Sequence, residues 1–364
     1  MEPPNSFSQN RNGKTEFMSA YAKYSIRDQA TQDRIKDAMF STYYADKSPT
    51  FLESEWGHRD VIANVYVRYN HSLEHVVPWV LRNVDLTGKI VADIGCGTGS
   101  STAAFSHFAR HVHGYDIDSV CIDAARLRLE IMGRENTDCH LVGPGDLIQS
   151  LRSQSSSFDV CLLFAVLEHM TIEERHEAIS GCWDLLSDDG LLVVVETPNF
   201  LQWFDSHTSQ LPFFHLLDSE VCAKYSVKSP RAGFNDSFVA QGLSVEETHL
   251  RMTRWGRGVS YHDFELSLGE DYGEYLLSTG FEPEILSWFP VNLEEELLRY
   301  YVQEVGLDIP LAFTRCVLNL TLKKGRGTGE QQGFGPPPFS FLPRTDRPGW
   351  MRDWFERLRG QLGR

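Results

Sequence analysis

The sequence has little positive charge, no long apolar run and no closely paired cysteines. Its 364 residues include 34 Lys and Arg against 50 Asp and Glu, and the net charge of −16 disfavours nucleic acid as a partner. The longest apolar run has eight residues, 160–167, whereas a membrane helix needs roughly 20. The seven cysteines contain no CxxC pair, which argues against a disulfide framework or a zinc site. We therefore expect a globular cytoplasmic protein with no membrane span.

The pattern of apolar residues changes once along the chain. Residues 18–84 carry apolar side chains at helical spacing, which predicts a helical cap over residues 1–84. After residue 88, strand-like and helical runs alternate. The predicted strands are 89–95, 111–118, 139–143, 158–167, 191–197, 283–289 and 315–324, and the predicted helices are 100–109, 119–133, 171–186 and 263–279.

This alternation predicts an α/β fold. The expected sheet is Rossmann-like and doubly wound, mostly parallel with an antiparallel last strand. It occupies residues 85–324, and a segment rich in aromatic residues, His and Pro at 198–260 is predicted to be an insertion after strand five. Ligands of open α/β sheets bind beyond the carboxyl ends of the strands, so the insertion is predicted to lie on the ligand side.

A glycine-rich turn after the first strand is the strongest functional signal. The sequence Val-Ala-Asp-Ile-Gly-Cys-Gly-Thr-Gly at 91–99 places Gly95, Gly97 and Gly99 between a strand and a helix, where glycines allow close approach of a ligand. A dinucleotide fold would place its third glycine at position 100, which is Ser100. The NAD interpretation is therefore disfavoured.

With Asp93 two residues before the first glycine, this stretch resembles motif I of class I S-adenosylmethionine-dependent methyltransferases. Asp116 ends the second strand, 21 residues after Gly95, where the family places a carboxylate on the ribose hydroxyls. Further matches occur in order at SFDV (157–160), VLEH (166–169), LLSDDG (185–190) and LLSTGF (276–281). The resemblance implies S-adenosylmethionine as cofactor, bound by Asp93, Gly95, Cys96, Gly97, Gly99, Asp116, Ile117 and Asp146. The Gly-Pro-Gly before Asp146 could shift its register.

Candidate proton acceptors lie at the end of the fourth strand and in the insertion. Methyl transfer to a hydroxyl needs a base, and Glu168 and His169 are the first candidates by position; the alternative is a structural pair that orients the next helix. The sequence is also similar to ubiquinone-pathway O-methyltransferases, whose metal-binding Glu corresponds to Ala165. We therefore predict no metal.

The insertion resembles a TPN…DxHT…LPxxH pattern of a bacterial subset of the family. Asp205, His207 and His215 are its candidate substrate-pocket residues, and an imidazole can remove a proton from a hydroxyl near neutral pH. The alternative is that these groups hydrogen-bond within a lid. In the cap, His71 and His75 have the spacing of a chelating pair, but a solvated helix face is favoured.

The segment at 325–364 is predicted to be a Gly/Pro-rich linker and an amphipathic helix. That helix could dock on its own domain or a dimer mate, which is favoured, or contact a membrane surface or a partner. As a whole, the sequence predicts a methyltransferase for a small-molecule, glycan-like or sugar-bearing acceptor, with oxygen as the favoured target atom. The alternatives are an RNA or protein methyltransferase and a non-catalytic scaffold of the same fold.

Overall fold

The computed structural model describes residues 21–143, 145–231, 233–235, 243–325 and 334–340. The amphipathic helix predicted near the C-terminus lies outside the described residues. No helix among the described residues is long and apolar enough to cross a bilayer.

The N-terminal part of the described chain is helical. Asp28 caps helix α1 (Gln29–Ser41), because its side chain accepts a hydrogen bond from the Thr31 amide. A short helix α2 (Pro49–Glu53) precedes a nearly continuous helical stretch. That stretch comprises α3 (Glu55–Ile62), α4 (Arg68–His71) and α5 (Val77–Val80), joined by the π-helical segments Ala63–Val67 and Ser72–Val76.

A six-stranded sheet forms the centre of the described chain. Its strands are β1 (Ile90–Ile94), β2 (His111–Asp116), β3 (Thr137–Leu141), β4 (Phe158–Phe164), β5 (Leu186–Pro198) and β6 (Val317–Lys323). The order is β3-β2-β1-β4-β5-β6, with β1 to β5 parallel and β6 antiparallel to β5. The predicted fold class is confirmed.

Helices cover both faces of the sheet, as the apolar run in β4 requires. Val160 and Leu162 belong to the core under the cap, whereas Cys161 and Leu163 belong to the core on the other face. The helices of the central fold are α6 (Ser100–Phe105), α7 (Ser119–Ile131), α8 (Leu147–Gln154), α9 (Ile172–Leu185) and α12 (Tyr261–Leu268).

The strand predicted at 283–289 is wrong, because this segment forms helix α13 (Pro283–Trp288). Proline at the first helical position has the φ that a helix start needs and lacks only an amide that would stay unbonded. The predicted helix at 263–279 is also shorter in the structure: α12 ends at Leu268, Gly269 follows with a φ of +93°, and a 3₁₀ segment (Glu270–Tyr275) comes next. Helix α14 (Leu293–Val305) precedes β6.

The insertion leaves the sheet at the end of β5 and returns through a bridge between Asn199 and Val259. It contains α10 (Ser219–Tyr225) and α11 (Val245–Trp255). A small core of its own holds it together, formed by Leu211, Phe214, Cys222, Phe234 and Met252. This arrangement brings α11 close to the end of β4, at the carboxyl edge of the sheet.

Candidate active site

Three glycines with positive φ form the turn after β1, and each meets a different environment. A Cβ at Gly95 would lie 2.4 Å from Cγ2 of Val166, and one at Gly99 would lie 2.9 Å from Cβ of Ala125. Glycine at these two positions therefore permits close packing against the segment after β4 and against α7. A Cβ at Gly97 would meet no atom within 4 Å, so its backbone is open to a ligand.

The tip of β2 carries the carboxylate closest to this turn. Asp116 accepts hydrogen bonds from the amide of Gly97 at 2.8 Å and from the amide of Asp118 at 2.9 Å. Burial raises the pKa of Asp116 above its ordinary value, while the main-chain amides oppose that shift. Next to it, the Ile117 side chain is 55% exposed and faces the same space.

Asp93 and Cys96 lie beneath the turn. Asp93 is fully buried and accepts hydrogen bonds from the hydroxyls of Ser101 and Thr102 at 2.7 and 2.6 Å. Burial raises its pKa to about 6, against the lowering effect of the two hydroxyls. The Cys96 thiol is buried close to Gly114 of β2. Both residues were predicted to bind cofactor, and the structure places their side chains under the turn rather than on the open cavity beside it.

A cavity of about 330 Å³ extends from the glycine turn across the carboxyl ends of β1, β2 and β4. Its lining is mostly apolar, with Asp116 on one side and His169 and Arg254 on the other. Asp146 is exposed at its edge, where the carboxylate lies against Gly143. The apolar wall suits a flat ring, and the wall residues are Ile94, Tyr115, Ile117, Val142, Leu147, Val166, Met170 and Ala178.

A buried arginine joins the turn to the cap. The Arg128 guanidinium in α7 donates to the carbonyls of Thr98 at 2.7 Å and of Val65 at 3.1 Å. The Thr98 hydroxyl donates in turn to Oδ1 of Asn64 at 3.2 Å. Burial lowers the pKa of Arg128 to about 10. The sequence alone does not indicate this role, because nothing in the local pattern of α7 distinguishes Arg128 from a solvent-exposed arginine.

At the end of β4, a 3₁₀ turn (Leu167–His169) holds Glu168 and His169. Nδ1 of His169 lies 2.9 Å from the carbonyl oxygen of Arg254, which accepts a hydrogen bond and therefore places the proton on Nδ1. The Arg254 guanidinium donates two hydrogen bonds to the Glu174 carboxylate of α9, at 2.5 and 2.6 Å, in a bidentate ion pair. This contact fixes the insertion over the turn, and the proton on Nδ1 leaves Nε2 of His169 as an acceptor.

Nε2 of His207, like Nε2 of His169, lies close to Glu168. The Thr208 hydroxyl donates to the carbonyl of Gly256 at 3.1 Å, so Nδ1 of His207, 3.0 Å from that hydroxyl, must be the donor between them. Nε2 of His207 is then unprotonated. It lies 3.8 Å from Oε1 of Glu168, and Nε2 of His169 lies 4.0 Å from the same oxygen.

Oε1 of the fully buried Glu168 has no hydrogen-bond partner. Burial raises the pKa of Glu168 to about 8 and lowers the pKa of His207 to about 4, with the neighbouring His169 adding to the latter shift. Burial also lowers the pKa of His169. One ligand atom from each of these three residues lies within 4.8 Å of the others, so the group could hold a metal ion. His207 would be the third ligand of such an ion, a role that the sequence, with Ala165 in place of a Glu, did not reveal.

Asp205 and His215 lie inside the insertion and not on the cavity. Both are fully buried, with Nε2 of His215 3.3 Å from Oδ1 of Asp205. Burial alone would raise the pKa of Asp205, but His215 and the amides of Thr208 and Ser209 hold it below its usual range. This pair matches the lid alternative of the sequence analysis, and His215 is not positioned to face an acceptor.

The carboxylate of Glu196 is a further group near the carboxyl edge of the sheet that the sequence did not indicate. Glu196, near the end of β5, has a φ of +54° and lies 2.5 Å from Nε2 of His71 in the cap. His71 and His75 both make edge-on ring contacts with Trp288. The predicted solvated face is therefore an interface between the cap and α13. In the sequence, Glu196 is marked only by its position near the end of a buried strand.

The glycine turn and the carboxylate on β2 lie in the part of the chain that is similar to known methyltransferases. Residues 92–192 match the family described as "Methyltransferase domain". The ubiquinone biosynthesis O-methyltransferase of Aromatoleum aromaticum is 29% identical over 112 residues, which is 31% of this chain and 45% of that protein. The magnesium-protoporphyrin O-methyltransferase of Synechocystis is 26% identical over 138 residues, 38% of this chain and 54% of that one.

The chain thus spans about half the length of the curated relatives that it matches. Among solved structures, the magnesium protoporphyrin IX methyltransferase of Synechocystis with bound SAH covers 65% of this chain and 87% of its own. Its sequence identity is 19% and its TM-score is 0.39.

Proposed function

We propose that this protein is an S-adenosylmethionine-dependent O-methyltransferase that acts on a small-molecule or sugar-bearing acceptor. The observation that carries the proposal is the cavity of about 330 Å³ that joins the glycine turn and Asp116 to His169. The match to the methyltransferase family and the relatives described as O-methyltransferases support the same reaction.

The cofactor half of the cavity is assigned by its chemistry. Asp116 would accept hydrogen bonds from the two ribose hydroxyls, since each carboxylate oxygen has a further lone pair besides the one used by a main-chain amide. Ile117 and Val142 would cover the adenine ring. No atom lies within 4 Å of a Cβ built at Gly97, which would leave room beside its backbone for the amino-acid end of the cofactor.

The acceptor half is assigned to Glu168, His169 and His207. When bound, S-adenosylmethionine supplies a methyl group on a sulfonium, which needs no activation, so much of the rate comes from positioning the two reactants. Nε2 of His169 or His207 would take the hydroxyl proton as the acceptor oxygen bonds to the methyl carbon and the bond from that carbon to sulfur breaks, with S-adenosylhomocysteine as the leaving group. Glu168, once ionised, would stabilise the resulting imidazolium.

A divalent metal ion is a second candidate role for the same three residues. One ligand atom from each of the three residues lies within 4.8 Å of the others, and Oε1 of Glu168 has no hydrogen-bond partner. Glu168, His169 and His207 would then bind the ion, which would lower the pKa of an acceptor hydroxyl. Chelation separates the two roles: a base mechanism keeps its rate in EDTA, whereas a metal mechanism loses it and recovers with added Mg²⁺ or Mn²⁺.

The other interpretations are less favoured. The net charge of −16 opposes RNA binding, and the intact glycine turn with Asp116 opposes a scaffold without cofactor. The seven free cysteines support a reducing compartment, and the cytoplasm is part of this proposal. No dimer or glycan contact is needed for the proposed reaction.

The reaction is tested by formation of S-adenosylhomocysteine with a panel of phenols, vicinal diols and nucleotide-free sugars. We expect turnover with at least one hydroxyl acceptor, and its loss in Asp116→Ala but not in the exposed Asp123→Ala. Methylation of bulk RNA or of protein in place of every small acceptor would contradict the proposed substrate class. Cofactor binding without turnover on any acceptor would favour the scaffold.

A further inference from the structure

The opposite end of β2 carries a second cluster of potential metal ligands. We propose that His111, His113 and Asp138 bind a divalent transition metal ion of the Zn²⁺ type, with His140 holding His113 in position. The cluster lies among the described residues at the outer edge of the sheet, where β2 pairs with the edge strand β3. The proposal is independent of the methyl-transfer reaction.

The strand register brings these side chains together. Residues two apart on a strand point to the same face, so His111 and His113 of β2 project together, and so do Asp138 and His140 of β3. His113 pairs in register with Asp138. Nε2 of His111 lies 2.8 Å from Oδ2 of Asp138, and the rings of His111 and His113 are 4.4 Å apart at their centroids.

The donor spacing suits a small cation. Ligand atoms of these three residues all lie within 4.8 Å of one another. Around a tetrahedral zinc ion with bonds of about 2.0 Å, neighbouring ligand atoms are about 3.3 Å apart, so small side-chain rotations would close the cluster on the ion. Two imidazoles and a carboxylate leave one position for water, and this nitrogen and oxygen set favours Zn²⁺ over Ca²⁺ or Mg²⁺.

His140 supplies the outer contact that a ligating histidine usually has. Its Nε2 lies 3.2 Å from Nδ1 of His113, which leaves Nε2 of His113 for the ion.

The position of the cluster separates it from the proposed methyl-transfer site. His111 begins β2 and Asp116 ends it, and five strand steps of 3.3 Å place the two ends about 16 Å apart. An ion at His111 would join β2 to the edge strand through side chains as well as through main-chain hydrogen bonds. We therefore expect bound Zn²⁺ to stabilise the fold without serving the reaction.

The test is calorimetric titration of ZnCl₂ into the full-length protein, in a His207→Gln background that removes one ligand of the other cluster. We expect one site per chain with a micromolar or lower Kd, and a rise in Tm on addition of Zn²⁺. His113→Gln and Asp138→Asn, tested separately, should each weaken binding at least tenfold. Because Asp138 is exposed, its variant should fold even if the His113 variant does not.

His58→Gln is the matched control, since His58 is exposed on α3 and distant in sequence from the cluster. It should leave the Kd unchanged. Substitution with Co²⁺ gives a second readout, a visible absorption band that Asp138→Asn should alter. The proposal is overturned if no zinc binds in the His207→Gln background. It is equally overturned if Asp138→Asn and His113→Gln bind zinc as tightly as their parent.

Discussion

The main-chain amide of Gly97 donates a 2.8 Å hydrogen bond to Oδ2 of Asp116 and so ties the turn after β1 to the tip of β2. The other oxygen, Oδ1, is held by the amide of Asp118 at 2.9 Å. The carboxylate is thus oriented before any ligand arrives, which lowers the entropy that binding must remove. This arrangement lets two neighbouring strands act together on one ligand.

The three glycines of the turn should respond differently to a methyl group. Gly95→Ala places Cβ 2.4 Å from Val166 at a φ of +70°, so we expect it to cost about 2–4 kcal/mol of unfolding free energy. Gly97→Ala meets open space and should cost about 1–2 kcal/mol from backbone strain alone. It should nevertheless weaken binding of S-adenosylhomocysteine at least tenfold.

The control for that strain is Gly133→Ala, at the end of α7. Gly133 has a φ of +62° and also faces open space, but it follows the end of α7, whereas Gly97 is bonded to Asp116. Its variant should lose similar stability in urea unfolding and keep full affinity in calorimetry. Wild-type affinity in Gly97→Ala would contradict a close approach of the ligand to that backbone.

Asp93 should make the fold less stable as the pH rises. Its pKa is raised from 3.8 to about 6, so between these values the folded chain binds more protons than the unfolded chain. Stability should therefore fall through this window and level off above pH 6. Relative to Asp93→Asn, the unfolding free energy of the wild type should drop by about 2 kcal/mol between pH 4.5 and 7.5.

Urea unfolding at the two pH values measures this difference. Asp123→Asn, on the exposed side of α7, should keep the wild-type dependence of the unfolding free energy on pH. Parallel pH profiles for wild type and Asp93→Asn would mean that the buried carboxylate is not responsible.

Ionisation of Glu168 should make kcat increase with pH. Its pKa is raised to about 8 by burial, so it ionises in the assay range and can then stabilise a proton on His169 or His207. We expect kcat to rise as the pH passes through about 8, and Glu168→Gln to lack this rise. The exposed Glu173→Gln should retain it. An unchanged profile in Glu168→Gln would exclude the proposed role of the carboxyl group.

Substitutions of His207 and His215 in the insertion should have different effects, one on activity and the other on stability. His207→Gln removes a nitrogen that faces Glu168 and should lower kcat about 10²-fold or more with little change in Tm. His215→Gln leaves the buried Asp205 without its imidazole and should lower Tm by several degrees. The exposed His262→Gln should change neither. Equal loss of kcat at equal Tm in both variants would contradict the assigned positions.

The parts of the fold that depend on local patterns were predictable from the sequence. An unbroken apolar run predicts strand β4, and glycines two residues apart predict the turn after β1. The error at 283–289 arose because a short apolar segment can be strand or helix. Its Pro283 start and the buried Ile285 favour the helix only once the cap is packed against it.

The candidate site was predictable only where its residues are close in sequence. Glu168 and His169 follow one strand, so their position at its tip could be inferred. The contact of His71 with Glu196 joins residues 125 positions apart, and no local pattern indicates it. Likewise, His207 is held by the Thr208 hydroxyl and His215 is buried beside Asp205, and only the folded insertion brings these contacts about.

The most direct measurement is calorimetric titration of S-adenosylhomocysteine into wild type, Asp116→Ala and Asp123→Ala. We expect one site per chain with micromolar Kd in the wild type, a loss of at least tenfold in Asp116→Ala, equivalent to about 1.4 kcal/mol, and no change in Asp123→Ala. Absence of binding to the folded wild-type protein, or full affinity in Asp116→Ala, would contradict a cofactor site between the glycine turn and the tip of β2.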